Sequence, residues 1–388
     1  MINNNKIVVL TASNFPYGGA GASFVRLMSL GLQYNNIDVE VVRYWGNRFS
    51  SEDKEIKSSN YLFKSPFKNE FLKFFELLSQ ILYIPFFLAY RKFVKKDSVL
   101  ILYCIERVYF VLPTIIFCKI FKIKCHRIIA EIWPNYMEAK YWWRTPNILF
   151  YNLQLKYIDK YLDGIIVFSN YLHKICVNNG VKDENLILIP HFIDLKLSRV
   201  ALPSPKVFKI GFAGNPSIEN GIIDLLKAFN FLMQENNTDF ELLIVGDISP
   251  EVNTIIKDKN LKHKNIIFTG LINNDEVQAK LLTCSVLINP RRKGVLADSG
   301  FPTKIGEYFA TKIPVISTKI GDLESYFENK KELMFSEPNN PNSIADAILY
   351  VYNNKDLCKK IGENGYYWAL NNLNYLKNGE KLINFIKR

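Results

Sequence analysis

The sequence predicts an α/β protein made of two doubly wound, parallel-sheet domains that face each other across a cleft. The chain has 388 residues, enough for two or three domains, and its 48% hydrophobic content is enough to bury a core in each. A strand, a glycine loop, a helix and a second strand follow one another at the N-terminus. A second strand–loop–helix unit begins at Val207. Such alternation is typical of parallel sheets.

The first half opens with the apolar run Ile7–Leu10, which predicts the first strand. The loop 13–21 and a helix over Ala22–Leu32 follow, and Ile37–Arg43 predicts the second strand. Further apolar runs predict strands at 98–103, 127–130 and 164–168. Helical stretches lie between them, so the first domain is predicted to span residues 1–197.

The second half begins after Ser198–Lys206, a stretch with two prolines that is typical of a linker. Val207–Ala213 predicts a strand, 214–221 a loop and Ile222–Met233 a helix. Further strands are predicted at 240–245, 265–269, 285–289 and 314–317. The predicted second domain spans 207–370, and residues 366–388 are predicted to be helical. In such sheets ligands bind beyond the carboxyl ends of the strands.

Composition narrows the function classes. The net charge of +12 favours an anionic partner, such as nucleic acid, a membrane surface or a phosphorylated ligand. Six scattered cysteines without a CxxC pair indicate reduced thiols in the cytosol, and four histidines argue against a histidine-rich metal site. Nucleic-acid binding is disfavoured because no basic helix with interleaved aromatic residues is recognisable.

No targeting or membrane-spanning segment is expected. The first apolar run is too short for the core of a signal peptide. The apolar stretch Leu77–Tyr90 has 14 uncharged residues and contains Pro85, whereas a membrane span needs about 20.

Two glycine loops follow predicted strands and precede predicted helices. They are Gly18–Gly21 and Gly211–Pro216, the second with Asn220 and Gly221 at the start of its helix. Backbone amides at such a position can bind an anion, although an ordinary tight turn has the same composition. The spacing of the first loop is not GxGxxG, which disfavours a dinucleotide site.

The strongest candidate is the segment 289–308, which contains Arg291, Arg292 and the run Phe301–Tyr308. Lys304 and Glu307 are three residues apart and share one face of the predicted helix. A cation near a helix N-terminus is unfavourable unless an anion joins it. We therefore predict that Lys304 binds a diphosphate and that Glu307 accepts hydrogen bonds from sugar hydroxyls. A solvated surface pair is the alternative.

These residues resemble those of the GT-B glycosyltransferases, specifically the retaining family 4 that includes many bacterial polysaccharide and lipopolysaccharide transferases. The most specific match is Phe301–Thr318. Similar segments are Gly18–Gly19, Leu186–Asp194, Leu243–Asp247 and Phe268–Gly270. The resemblance covers nearly the full chain. It implies two Rossmann-like domains and a final helix, 371–388, that returns to the N-terminal, acceptor-binding domain.

By this resemblance Glu307 holds the donor ribose and Lys304 the diphosphate of a nucleotide-sugar. The predicted donor-binding residues are Gly18, Gly19, Gly214, Asn215, Arg291, Arg292, Ser299, Gly300, Phe301, Thr303, Lys304 and Glu307. The predicted catalytic residues are Glu131, Lys304 and Glu307. Glu131 follows a strand in a segment that resembles the acidic Asp-Leu-Trp-Pro of some relatives; a structural carboxylate is the alternative, and Glu106 is a weaker second candidate.

The chain departs from the family at several positions. Ser299 occupies the position where many relatives have an acidic residue, with Asp298 beside it. Asn215 and Asn220 stand where many relatives have Arg and Lys, so phosphate binding relies more on Lys304, Arg291 and Arg292. No Asp-x-Asp occurs, and we predict neither a catalytic metal nor a cofactor, with fixed cations stabilising the leaving diphosphate.

The predicted function is a retaining glycosyltransferase that extends a lipid-linked or oligosaccharide acceptor in surface polysaccharide biosynthesis, such as lipopolysaccharide or capsule. Residues 64–96 are apolar, aromatic and flanked by lysines, which favours a location on the inner face of the cell membrane; a core helix with a solvated basic end is equally compatible. Two alternatives stay open: a catalytically weakened, membrane-docked binding protein of a glycan assembly complex, and a nucleotide-sugar epimerase of the same fold.

Overall fold

The structure is a computed structural model, and it describes residues 6–13, 15–16, 19–43, 53–60, 70–105, 108–132, 145–195, 207–235 and 239–388. The chain forms two compact units. The first comprises residues 1–192 and 375–388, and the second comprises 193–374. The predicted linker, 198–206, lies outside the described residues.

The first unit contains a seven-stranded parallel sheet in the order β3-β2-β1-β4-β5-β6-β7. Its strands are β1 Lys6–Thr11, β2 Asp38–Arg43, β3 Lys57–Asn60, β4 Val99–Tyr103, β5 Lys124–Ile129, β6 Gly164–Val167 and β7 Leu186–Leu188. Its α-helices are α1 Ala20–Tyr34, α2 Glu70–Phe93, α3 Val108–Ile120, α4 Thr145–Leu153, α5 Asn170–Asn178 and, at the end of the chain, α14 Tyr375–Lys387. A π-helical turn, Gln154–Ile158, continues α4.

The second unit contains a six-stranded parallel sheet in the order β10-β9-β8-β11-β12-β13. Its strands are β8 Phe208–Ala213, β9 Phe240–Val245, β10 Ile266–Phe268, β11 Val286–Asn289, β12 Val315–Thr318 and β13 Met334–Ser336. Its helices are α6 Ile222–Glu235, α7 Pro250–Asp258, α8 Asn274–Leu281, α9 Val295–Ser299, α10 Thr303–Phe309, α11 Leu323–Tyr326, α12 Pro341–Asn353 and α13 Lys355–Asn372.

The two parallel sheets confirm the predicted fold class. The central strands β1, β4, β8 and β9 match the predicted apolar runs, because strands covered on both faces are almost continuously apolar. The edge strand β3 was not predicted, because its sequence, Lys57–Asn60, is polar. The edge strands β7 and β13, each of three residues, were not predicted either.

The end of the chain was wrongly predicted as one helix over 366–388. Two helices occur, α13 and α14, and the break lies at Leu373–Asn374. The Ile193 amide donates to the Leu373 carbonyl oxygen at 2.8 Å, and Ile193 and Asn374 form an isolated parallel bridge. The backbone there pairs with an extended segment and leaves the helix. Among the described residues, no helix is both long enough and apolar enough to cross a bilayer.

Helix α14 packs closely against α1 at two glycines. A Cβ atom on Gly379 would collide with the carbonyl oxygen of Gly31, and one on Gly31 would collide with that of Tyr375. We expect Gly379→Ala to lower the free energy of unfolding by about 1–3 kcal/mol, because two backbones must move apart. Urea unfolding followed by circular dichroism measures this loss.

Gly21→Ala, at the start of α1, is the matched control. Its Cβ would lie 3.4 Å from the nearest atom, an ordinary contact, so helix propensity makes it neutral or stabilising. Equal stability of the two variants would refute the close helix contact.

Candidate functional site

Two glycines, Gly214 after β8 and Gly246 after β9, allow the backbones at the carboxyl ends of these strands to approach closely. Gly214 follows β8 with a φ of 121°, and its amide donates to the Val245 carbonyl oxygen at 2.9 Å. A Cβ on Gly246, at a φ of 146°, would collide with the Gly214 carbonyl oxygen. Both positions therefore require glycine, because of the backbone conformation and the close approach.

The loop after Gly214 is closed by its own polar groups. The Asn220 side-chain amide donates to the Asn215 carbonyl oxygen at 2.9 Å, and the Ser217 amide donates to the same oxygen at 3.0 Å. The Asn220 amide donates to Ser217 Oγ at 3.2 Å. Asn220 thus stabilises the turn, while Asn215 is exposed.

Lys304 extends from α10 across the glycine loop. Its Nζ lies 4.0 Å from the centroid of the Phe212 ring, and a Cβ on Gly214 would lie 3.0 Å from the same atom. The Nζ atom is buried, and within the described part of the chain it has no hydrogen-bond partner. The ring face attracts an ammonium but supplies no acceptor. A buried amine with unused donors at the end of a β-strand is a ready anion-binding group.

Burial is the main cause of an unusual protonation equilibrium at this lysine. The pKa of Lys304 is lowered to about 7, mainly by burial and in smaller part by the charge of Arg291, whereas Glu307 opposes the shift. Burial also raises the pKa of Glu307, and Lys304 opposes that shift. The two side chains predicted to act together therefore do lie close enough to interact electrostatically. Each favours the charged form of the other.

Tyr308 fixes α10 against the end of β8. Its hydroxyl accepts the Ala213 amide at 2.8 Å and donates to the Ala213 carbonyl oxygen at 3.2 Å. Its neighbours Ile305 and Phe309 are also buried. Because this bond anchors the residue that precedes Gly214, it sets the position of Lys304 over the loop. Sequence reasoning gave Tyr308 and Phe212 no role. An aromatic residue one helical turn after Lys304 was the available signal for Tyr308.

The two predicted arginines differ in their surroundings. The Arg291 guanidinium donates to the Leu296 carbonyl oxygen at 3.2 Å and acts electrostatically on Lys304. Arg292 is instead held by Asp224, with Nε 3.2 Å from a carboxylate oxygen, and by Asn339 at 2.8 Å. Arg292 therefore already has anionic and polar partners in the first turn of α6 and near α12.

The remaining predicted residues of this segment mostly serve packing. Ser299 and Gly300 are buried, and the Phe301 ring stacks on Trp368 at a centroid distance of 6.4 Å. The Phe301 side chain thus belongs to an aromatic cluster within the unit. Thr303 is half-buried at the first position of α10. Asp298 accepts the Gly321 amide at 3.0 Å and so stabilises a neighbouring loop.

In the first unit, Gly19 precedes α1 with a φ of 87° and is exposed. Glu131 follows β5 and is half-buried, and its carbonyl oxygen accepts the Tyr151 hydroxyl at 3.0 Å. His191 is a core residue, stacked on Phe24 at 5.7 Å, and burial lowers its pKa to about 4. The predicted residues Gly18 and Glu106 lie outside the described residues, as do Trp133, Pro134 and 141–144.

The two parallel-sheet units have the topology of the GT-B fold. A crystal structure of HepE from Anabaena in complex with UDP matches the fold with a TM-score of 0.73, at 16% sequence identity over 98% of this chain and 99% of that chain. The family model described as Glycosyl transferases group 1 matches residues 196–368, a segment that contains Lys304 and Glu307.

Two curated glycosyltransferases are similar to parts of this chain. An uncharacterized glycosyltransferase of Methanocaldococcus jannaschii is 29% identical over 198 residues, which are 49% of this chain and 52% of the relative. The putative teichuronic acid biosynthesis glycosyltransferase TuaC of Bacillus subtilis is 29% identical over 150 residues, 39% of this chain and 34% of the relative. The matches therefore span about half and a third of these relatives' own lengths.

Proposed function

We propose that this protein is a retaining, metal-independent glycosyltransferase. It transfers a sugar from a nucleotide-diphosphate sugar to a lipid-linked glycan in surface polysaccharide biosynthesis. The observation that carries the proposal is the buried Lys304 amine, which has no hydrogen-bond partner among the described residues and lies beside Glu307 in the segment matched by the family model. An anion would accept the unused hydrogen bonds of this ammonium group, and a diphosphate is such an anion.

The proposed reaction moves one bond and one proton. The bond from the anomeric carbon to the diphosphate oxygen breaks, and a bond to the acceptor oxygen forms on the same face of the sugar. The acceptor proton passes to the leaving phosphate. Lys304 and Arg291 stabilise the charge that develops on the diphosphate, a task that metal ions perform elsewhere. Glu307 accepts hydrogen bonds from the ribose hydroxyls, and Glu131 orients the acceptor or contacts the transferred sugar.

The relatives support the finer parts of the proposal. HepE has been crystallised with UDP and with UDP-glucose, which supports a uridine nucleotide as donor. TuaC is a putative glycosyltransferase of teichuronic acid biosynthesis, which supports a cell-surface polysaccharide as product. We propose that this acceptor is carried on a lipid, and that the enzyme acts as a peripheral protein at the inner face of the cell membrane in a lipopolysaccharide or capsule pathway.

A thermal-shift panel of UDP, GDP, ADP and dTDP tests the donor site. We expect one diphosphate to raise the melting temperature, because a ligand at 100 times its Kd adds about 2.7 kcal/mol to stability. The shift should be unchanged by EDTA and lost in Glu307→Ala. The control is Glu324→Ala, an exposed glutamate of the same unit. If no diphosphate shifts the wild type, or if Glu307→Ala shifts as the wild type does, the proposed donor site is wrong.

The placement of Arg292 favours one alternative, a catalytically weakened binding protein. With Arg292 held by Asp224 and Asn339 and asparagines at 215 and 220, the loop offers few cations to a diphosphate. Nucleotide-sugar turnover by the purified protein decides between the two. Hydrolysis or transfer supports the enzyme, whereas UDP binding without any turnover supports the binding protein.

A further inference from the structure

Helix α2 of the first unit carries an exposed apolar face. Leu82, Phe86, Tyr90 and Phe93 recur at helical spacing, and Phe86 and Phe93 are each 71% exposed. From residue 81 to residue 90 the sequence contains no charged side chain. Pro85 lies inside the helix and is half-buried. A helix that covers part of a core normally places polar residues on its outer face, whereas the exposed residues of α2 between 81 and 90 are apolar or aromatic.

The neighbouring helices continue the same surface. Helix α3 packs against α2 and against α4 with its π-helical turn. On α3 the exposed apolar residues are Leu112, Ile116 and Ile120. On α4 and the segment after it they are Leu149, Leu153, Tyr157 and Tyr161. We call these residues, with the four of α2, the three-helix face. Monomeric soluble proteins rarely expose so extended an apolar surface without a partner.

Lysines accompany this face in the described stretches 81–96, 108–122 and 149–161, which contain no exposed acidic side chain. Within 81–96, 108–122 and 149–161 the lysines are Lys92, Lys95, Lys96, Lys119, Lys122, Lys156 and Lys160. These described stretches contain one acidic residue, Asp159, which is buried in an ion pair with Arg127. Lys119 Nζ lies 5.5 Å from the Tyr161 ring centroid, and Lys95 Nζ lies 5.9 Å from that of Tyr90. Tyrosine rings and ammonium groups therefore lie together at its rim.

We propose that the three-helix face docks on the surface of a bilayer that contains anionic lipids. Its leucine, isoleucine and phenylalanine side chains enter the boundary between head groups and acyl chains. Its tyrosines lie at the head-group level, and its lysines contact lipid phosphates. The arrangement fits a bilayer better than a second copy of this chain, because a two-fold dimer through this face would bring two sets of seven lysines together. The inference deepens the proposed function, in which the acceptor is lipid-linked.

The test is co-sedimentation of the full chain with vesicles. Vesicles of phosphatidylcholine alone are compared with vesicles that also contain phosphatidylglycerol. We expect binding to the anionic vesicles that weakens with added salt. The double variant Phe86→Glu with Ile116→Glu should bind at least about tenfold more weakly, because two apolar contacts are lost. Tyr34→Glu, at a residue of α1 that is 70% exposed, is the matched control and should bind as the wild type does.

A second variant separates charge from apolar contact. Lys119→Gln with Lys122→Gln should weaken binding to anionic vesicles by about 25-fold, at about fivefold for each lysine. It should also reduce the dependence on salt. Both side chains are exposed, so the variant is expected to fold.

Three results would overturn the inference. They are no binding of the wild type to anionic vesicles, unchanged binding of the Phe86→Glu and Ile116→Glu variant, and a dimer in light scattering that this variant abolishes. The UDP thermal shift is measured on the same proteins. Vesicle binding without a UDP-induced thermal shift would refute the proposed donor site but not the docking of the three-helix face. A UDP-induced thermal shift without vesicle binding would refute the docking but not the donor site.

Discussion

Lys304→Met is expected to weaken UDP binding by about 100-fold or more, while the unliganded protein stays as stable as the wild type or becomes more stable. The loss corresponds to ~2.7 kcal/mol, within the usual cost of removing one partner from a desolvated charge pair. Stability is preserved because Met, one atom shorter than Lys, keeps the apolar part of the side chain over Gly214 and Phe212 and removes a buried amine without a hydrogen-bond partner among the described residues. Calorimetric titration gives the affinity, and thermal unfolding gives the stability.

Lys293→Met is the matched control. Lys293 lies in the loop between β11 and α9 and is exposed, so both UDP affinity and stability should be unchanged. A Lys304→Met protein that binds UDP within a few-fold of the wild type would show that Lys304 is not the diphosphate ligand. A large loss of stability in that variant would show that the amine has a structural role in the unliganded fold.

The affinity for UDP is expected to fall as the pH rises above 7. Burial lowers the pKa of Lys304 to about 7, so the free protein loses the ammonium in this range. A diphosphate favours the ammonium, and binding therefore takes up about half a proton at pH 7. Between pH 8 and pH 9 the affinity should approach a tenfold fall for each pH unit. An ordinary lysine, with a pKa of about 10.4, would leave it constant there.

Titration calorimetry in buffers of different ionisation enthalpy measures the proton uptake directly. The charged groups that act on Lys304 are Arg291, which stays protonated, and Glu307. The dependence should vanish in Lys304→Met. If it persists in that variant, another group titrates and the assignment is wrong.

The same lysine affects the stability of the unliganded protein. Its pKa is lower in the folded state than in the unfolded chain, so the unfolded chain binds more protons from pH 7 to the ordinary lysine pKa. The contribution of Lys304 to the free energy of unfolding therefore rises with pH across that window and is lost as the pH falls through about 7.

Much of the fold could be predicted because its strands are of the kind that sequence patterns show best. The central strands, such as Val99–Tyr103 and Phe240–Val245, are buried on both faces and consequently almost wholly apolar. The edge strand Lys57–Asn60 has one neighbour and a polar sequence, so no pattern distinguished it from a loop. The break at Leu373–Asn374 depends on Ile193, about 180 residues earlier in the chain, which no local pattern contains.

In the candidate site, a spacing of three residues was enough to predict that Lys304 and Glu307 share one face of a helix. Their surroundings come from tertiary contacts: Phe212 and Gly214 lie beneath the amine, Tyr308 holds the helix to Ala213, and Arg292 is bound to Asp224. The same holds for the three-helix face, of which the sequence indicated only the α2 part. The periodicity of apolar residues in the sequence shows which residues of one helix or strand lie on the same side. Burial, and with it the pKa of Lys304 and the exposure of Ile116, depends on elements that are distant in sequence and adjacent in the fold.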